Sequence, residues 1–230
     1  DVCDRDALAE GLRAAEQRFG ALHGVIHAAG LNDGRSVFEK EDGGFAEVLA
    51  PKVAGTLVLD EVLGDRSLDF VCYFSSAAAL LGDFGACDYA VGNRFLMAHG
   101  RYRNQLQAQK ARSRRTIVVN WGLWQDGGMG TVAVASTQMY LKSSGQRALG
   151  SQEGIALLER LLGQACPQHL VLAGDRRRVH RFLGLARPAA VTETEWSGAG
   201  PEYRGERAEL KGLNLAQCVA WDLKQQVSGL

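Results

Sequence analysis

Residues 74–93 read F-S-S-A-A-A-L-L-G-D-F-G-A-C-D-Y-A-V-G-N. The apolar run Leu68–Phe74 precedes them and a helical pattern follows, so the stretch is the passage from a buried strand into a helix. Ser76 stands thirteen positions before Tyr89, and Asn93 stands four after it. On a helix, Tyr89 and Asn93 share one face. A serine at a strand's carboxyl end and a tyrosine opening the next helix can meet in the crevice where open α/β sheets bind ligands. A hydroxyl pair there suits proton donation to a carbonyl oxygen. The competing structural account is a helix N-terminus rich in small residues, with the serines as caps.

Upstream, Asp4 to Phe19 reads as an amphipathic helix, with Leu8, Leu12, Ala15 and Phe19 at helical spacing and Gly20 as the stop. The run G-V-I-H-A-A-G at 24–30 reads as a strand covered on both faces. Its Ala28-Ala29-Gly30 end has almost no side-chain bulk, so a flat ligand can lie against the backbone. His27 reads as a hydrogen-bonded core histidine rather than a catalytic one. A loop with the turn signal Asn32-Asp33-Gly34 runs to Lys40. A helix is expected from about Phe45 to Leu63, although Pro51 and Gly55 weaken its pattern. Lys52 lies within that apolar segment. Most such lysines reach out to solvent, but one directed into a cleft is an electrostatic partner for a tyrosine.

Downstream, a helix is expected from Tyr89 to about Gln109 and a buried strand over Arg115–Trp121, ending at Gly122. Gly127-Gly-Met-Gly130 introduces an irregular stretch to about Gly150, a candidate lid. A helix over Ser151–Leu162, capped by Ser151, and a short strand over Leu170–Ala173 follow. This alternation argues for an α/β fold, a parallel sheet with helices on both faces.

Composition narrows the function classes. The 230 residues carry 26 basic and 26 acidic side chains, a formal net charge of zero. That gives no electrostatic reason to expect nucleic acid or an anionic membrane as partner. The run Arg176-Arg177-Arg178 reads as a solvated edge. The five cysteines are scattered, without C-x-x-C or metal-ligand spacing. They suggest a reducing compartment, with neither a disulfide framework nor a metal site. No apolar run reaches membrane-spanning length.

Several motifs in order resemble one family. They are D-V-C-D at 1–4, H-A-A-G at 27–30, P-K-V-A-G-T at 51–56, F-S-S at 74–76, D-Y-A-V-G-N at 88–93, and V-N-W-G-L-W…G-M-G from 119 to 130. Together they resemble the ketoreductase domain of modular polyketide synthases, within the short-chain dehydrogenase/reductase superfamily. The resemblance implies a Rossmann-like doubly wound parallel sheet over 1–187. It implies NADPH-dependent reduction of a β-ketoacyl thioester held on an acyl carrier protein. Tyr89 would be the proton donor, Ser76 would orient the carbonyl, Lys52 would bind the nicotinamide ribose and lower the tyrosine pKa, and Asn93 would complete the network. Asp1 and Val2 would lie beside the adenine, Ala28, Ala29 and Gly30 along the ribose and nicotinamide side, and Asn120, Trp121 and Gly122 near the nicotinamide. Asp33, Leu81 and Met129 would lie near substrate. The expected partners are the carrier protein and other domains of the same synthase, in a cytoplasmic assembly. A non-catalytic ketoreductase remnant and a free-standing short-chain dehydrogenase are the alternatives. The intact Lys52, Ser76, Tyr89 and Asn93 set speaks against the first, and the position of Lys52 against the second.

The chain also departs from the family. No G-x-G-x-x-G phosphate loop occurs in 1–230. The resemblance therefore reads 1–187 as the C-terminal portion of a ketoreductase, with the edge of the strand at Gly24–Ala28 left open. Such a portion alone is expected neither to bind NADPH tightly nor to be a stable monomer. The family's markers of hydroxyl configuration are out of register: Gly34 stands where one type carries aspartate, with Asp33 one residue earlier, and Leu81 stands where the other carries tryptophan. Residues 188–208 are polar and read as a linker. The segment 209–230 resembles the first helix of an acyl carrier protein, of the trans-acyltransferase type of synthase.

Overall fold

The structure is a computed structural model. It describes residues 1–33, 35, 38–40, 42–82, 86–110, 115–126, 134–185 and 211. The chain divides into two compact units, Asp1–Leu185 and Ala186–Leu230. The expected linker, the carrier-like helix, Gly34 and Met129 lie outside the described residues, apart from Lys211.

Helix α1 (Arg5–Phe19) starts where the Asp4 carboxylate accepts the N–H groups of Asp6 and Ala7, and it stops at Gly20, whose φ of 83° suits glycine. Strands β1 (Gly24–His27), β2 (Phe70–Ser76), β3 (Arg115–Trp121) and β5 (Gln168–Val171) form one parallel sheet in the order β1-β2-β3-β5. The expected parallel α/β architecture is therefore present. β1 is an edge of this sheet, and its Ile26 is 46% exposed.

Side chains alternate across the sheet. On one face Val71, Tyr73 and Val118 pack with Leu59, Leu63 and Leu96, from α3 (Ala54–Leu63) and α5 (Cys87–Lys110). On the other face Cys72, Ile117 and Val119 pack with Leu161 of α7 (Ser151–Leu162). Both faces are covered, which is why these strands read as continuous apolar runs. Gly100 sets how closely α5 lies on the sheet, since a β-carbon there would fall 2.5 Å from Val118 Cγ2.

Several boundaries differ from the sequence reading. The helix expected over 45–63 is two helices, α2 (Asp42–Leu49) and α3, separated by a turn at 50–53. Pro51 has no N–H to continue the ladder, and the chain re-enters through Lys52 N–H and Val53 N–H on Leu49 O and Gly55 N–H on Ala50 O. β2 starts two residues later than Leu68, which is buried just before it. A one-turn helix, α4 (Ala78–Leu81), lies between β2 and α5. The irregular stretch before Gly150 contains α6 (Ala135–Ser144) and β4 (Gln146–Arg147), which pairs antiparallel with β6 (Ala173–Gly174). β5 begins two residues before Leu170. The arginine run opens α8 (Arg176–Phe182), capped by Asp175. Ser151 is not a cap: its hydroxyl donates to Asp126 Oδ2 at 3.0 Å, and Gly150 takes the cap position. Among the described residues no helix is long and apolar enough to cross a membrane.

Candidate active site

The carboxyl ends of β1, β2 and β3 converge on the polar side chains singled out above. Lys52 sits in the turn between α2 and α3 rather than on a helix, and it is buried. Its ammonium donates to the carbonyl oxygen of Phe74 at 2.8 Å. That carbonyl lies on β2, two residues before Ser76, so the charge is held at the strand's carboxyl end. Burial pulls the Lys52 pKa down to about 8. The turn is fixed from below. The Thr56 hydroxyl donates to Lys52 O at 2.6 Å and lies 3.0 Å from His27 Nε2. His27 is buried, and burial first, then the charge of Lys52, lower its pKa to about 4. It is a neutral core histidine that braces the lysine turn.

Tyr89 is the third residue of α5 and half-buried. Asn93, fully buried one turn later, donates from Nδ2 to Tyr89 O at 2.8 Å. Ser75 donates to Asn93 O at 3.1 Å, tying α5 to the end of β2. Ser76 Oγ accepts the N–H of Ala78 at 3.1 Å, so it also braces the start of α4. The cap position of α4 is Ala77, without a side-chain cap bond, so Ser76 is not its N-cap. α5 approaches the lysine turn through Gly92, where a β-carbon would lie 3.3 Å from Lys52 Cβ and 3.4 Å from Leu49 Cδ2. Lys52 bonds to β2 at Phe74 O and Asn93 is tied to β2 by Ser75, while Ser76 ends β2 and Tyr89 opens α5 one turn before Asn93. Leu81, half-buried, ends α4.

The residues expected to hold a cofactor fall at the same end. Ala28 is exposed and Ala29 and Gly30 half-buried just after β1. Asn120 and Trp121 end β3 and are buried. Asn120 Nδ2 donates to His169 O at 2.9 Å, and Gly122 N–H donates to Val171 O. Asn93 Oδ1, Asn120 Oδ1 and Trp121 Nε1 are among the eight buried side-chain atoms that have no hydrogen-bond partner among the described residues. Buried polar groups are rarely left unpaired, but side chains alternate along β3. Asn120 therefore faces α5 with Asn93, while Trp121 packs on the other face against Phe74 and Trp124. What fits a flat nicotinamide is the backbone without bulk at Ala28, Ala29 and Gly30. Val2 packs on α3, where a β-carbon on Gly55 would fall 2.5 Å from Val2 Cγ1. Asp1 accepts Cys3 N–H at 2.9 Å.

The sequence reading missed three contributors. Thr56 lies inside a quoted motif but carries no signal of its own. Asp88 precedes Tyr89, and its Oδ1 accepts the Tyr89 N–H at 2.8 Å. Lys40, from the loop after β1, pairs with Asp88. The Asp33 carboxylate is engaged by Arg35 at 2.6 Å and Lys40 at 3.5 Å, and those cations hold its pKa below the ordinary carboxylate value.

The KR domain family model matches residues 1–126. The chain belongs to the ketoreductase domain family. Across all 230 residues it is 45% identical to polyketide synthase PksM of Bacillus subtilis, of which it spans 5%, and 42% identical over 193 residues, 84% of the chain, to polyketide synthase ThaG of Burkholderia thailandensis, of which it spans 3%. It is therefore similar to a small part of very long polypeptides. A crystal structure of a ketoreductase domain from the bacillaene assembly line matches 79% of this chain and 43% of its own, at 36% identity and a TM-score of 0.73. Members of this family are oxidoreductases that use a nicotinamide cofactor.

Proposed function

We propose that this ketoreductase domain reduces a β-ketoacyl thioester, carried on an acyl carrier protein of the same synthase, to the β-hydroxyacyl thioester with NADPH. NADPH, when bound, supplies the hydride. Asn120, Trp121 and Gly122 would lie near its nicotinamide end, Asn93 would complete the polar network around Tyr89, and Ala28, Ala29 and Gly30 offer backbone without bulk beside the cofactor. Asp1 and Val2 would flank the adenine. Tyr89 gives its phenolic proton to the carbonyl oxygen of the substrate. Ser76 donates a hydrogen bond to the same oxygen and orients it. A donor fixed in advance at a developing alkoxide stabilises it with little reorganisation. Lys52 would hold the ribose of the cofactor, and its positive charge favours the tyrosinate that remains after proton transfer. A free tyrosine has a pKa near 10, so such a cation brings the acid closer to working pH. Asp33, Leu81 and Met129 are assigned to the substrate side.

The observation that supports this reading is that Lys52 is buried with its ammonium on Phe74 O, two residues before Ser76, while Ser75 Oγ on Asn93 O ties the end of β2 to the turn of α5 that follows Tyr89. The test follows NADPH consumption with a small β-ketoacyl thioester, in a polypeptide extended upstream of residue 1, for the parent and Tyr89→Phe. Loss of the proton donor is expected to lower kcat by ~100-fold or more while NADPH still binds. A Tyr89→Phe variant as active as the parent removes Tyr89 from the mechanism. A parent that binds NADPH but turns over no β-ketoacyl thioester refutes the reductase reading.

A further inference from the structure

The loop after β1 meets α5 through charges that the mechanism above does not use. Arg35 Nε donates to Asp33 Oδ1 at 2.6 Å. Lys40 Nζ lies 3.5 Å from Asp33 Oδ2 and pairs directly with Asp88 Oδ2. Side-chain exposure falls along this row, from 53% at Arg35 and 17% at Asp33 to 3% at Lys40 and 1% at Asp88. A lysine on a loop normally keeps its ammonium in water. Here it is buried, against a desolvation penalty that only close pairing offsets. Burial alone would lower the Lys40 pKa. The hydrogen bond and charge of Asp88, with the charge of Asp33, more than reverse this and hold it above the ordinary lysine value.

The pair adjoins the backbone of the residue assigned as proton donor. Asp88 uses one carboxylate oxygen for Lys40 and the other for the backbone N–H of Tyr89, at 2.8 Å. A carboxylate in the first turn of a helix is favoured by the free N–H groups and the helix dipole. That explains Asp88 alone. It does not explain why a cation 48 residues away in sequence is buried on it. What the cation adds is a mechanical link between two segments that the sheet leaves independent: the loop bearing Asp33, assigned to the substrate side, and the turn bearing Tyr89.

We propose that Lys40 and Asp88 are positioning residues, a buried ion pair that locks the substrate loop onto the first turn of α5 and so fixes Asp33 and Tyr89 relative to one another. The proposal deepens the reductase reading and rests on it for its catalytic consequence. With the lock in place, the substrate carbonyl meets the proton donor in one orientation. Without it, loop and donor move separately, and both rate and facial selectivity fall.

The test uses the intact polypeptide that carries this chain. Lys40→Met and Asp88→Asn remove the ion pair while keeping side-chain volume, and Asp88→Asn leaves an amide oxygen for the Tyr89 N–H. Lys40→Arg and Asp88→Glu keep the charges. The pair-breaking variants are expected to lose at least tenfold in kcat, to change the KM for NADPH by less than twofold, and to yield a mixture of hydroxyl configurations where the parent yields one. The charge-keeping variants are expected to restore selectivity and most of the rate. Hydrogen–deuterium exchange supplies a reading that needs no turnover. In Lys40→Met, peptides covering 31–40 and the first turn of α5 are expected to exchange faster, with the rest of the sheet unchanged. If turnover fails in the parent but exchange changes as described, the lock stands and the reductase reading falls. If exchange at the start of α5 is unaltered, or if the pair-breaking variants keep parental rate and configuration, the lock is overturned. A loss of NADPH binding and melting temperature together, unrelieved by the charge-keeping variants, makes the pair merely structural and also overturns it.

Discussion

At the scale of single residues, Lys52 carries the most physical information. Its pKa of about 8 means that burial costs the ammonium more than its one bond to Phe74 O returns. The sign follows. The folded pKa lies below the ordinary 10.5, so the charged lysine weakens the fold in full below pH 8. The deficit is relieved as pH rises from about 8 to 10.5, by an amount on the order of 3 kcal/mol. Lys52→Met is expected to abolish that rise, as read from urea midpoints between pH 7 and 10. The proposed catalytic role runs the opposite way with pH, because the ammonium is lost above about 8. The parental kcat/KM is expected to fall on that limb, and Lys52→Met to be lower by ~10- to 100-fold at pH 7 and to lack the limb. A lysine amid apolar residues was visible in the sequence as an anomaly. Its bond to Phe74 O was not, because the two meet only through the sheet.

At the scale of elements, the site depends on how closely α5 approaches the turn at 50–53. Gly92 decides that distance. A β-carbon 3.3 Å from Lys52 Cβ and 3.4 Å from Leu49 Cδ2 is tight but can be absorbed by a small shift. Gly92→Ala is therefore expected to fold and to keep most activity. Gly92→Val adds two further carbons that have no room. It is expected to cost about 1–3 kcal/mol through overpacking and to lower kcat more than tenfold by moving Tyr89 away from Lys52. Thermal melts and steady-state kinetics on the two variants check this. The helical periodicity over 45–63 was legible, and so was the weakness at Pro51. That the chain turns there and presents Lys52 from a turn follows from backbone bonds to Leu49 and Ala50. α8 was missed for a related reason: a short helix that opens on three arginines has little apolar pattern to betray it.

At the scale of the whole molecule, both sheet faces are covered, and His27 lies at the carboxyl end of edge strand β1, held neutral. Its pKa of about 4 lies below the ordinary 6.5. The unfolded chain therefore takes up a proton first as pH falls, and stability is lost between about 6.5 and 4, by an amount on the order of 3 kcal/mol. His27→Gln is expected to flatten the acid limb of a urea-midpoint profile. By itself the sequence determined the alternation of strands and helices and the limits of β3 and α7. It also placed Ser76 at a strand's end, with Tyr89 and Asn93 one turn apart on the next helix. These are matters of local periodicity and spacing, and each is written within a few neighbouring residues. Only the tertiary structure decided that Lys52 points to Phe74 O, that Thr56 and His27 brace its turn, and that Lys40 is buried on Asp88. Those contacts join residues 22 to 48 positions apart. Their geometry is set by the crossovers of the parallel sheet, which no stretch of sequence contains.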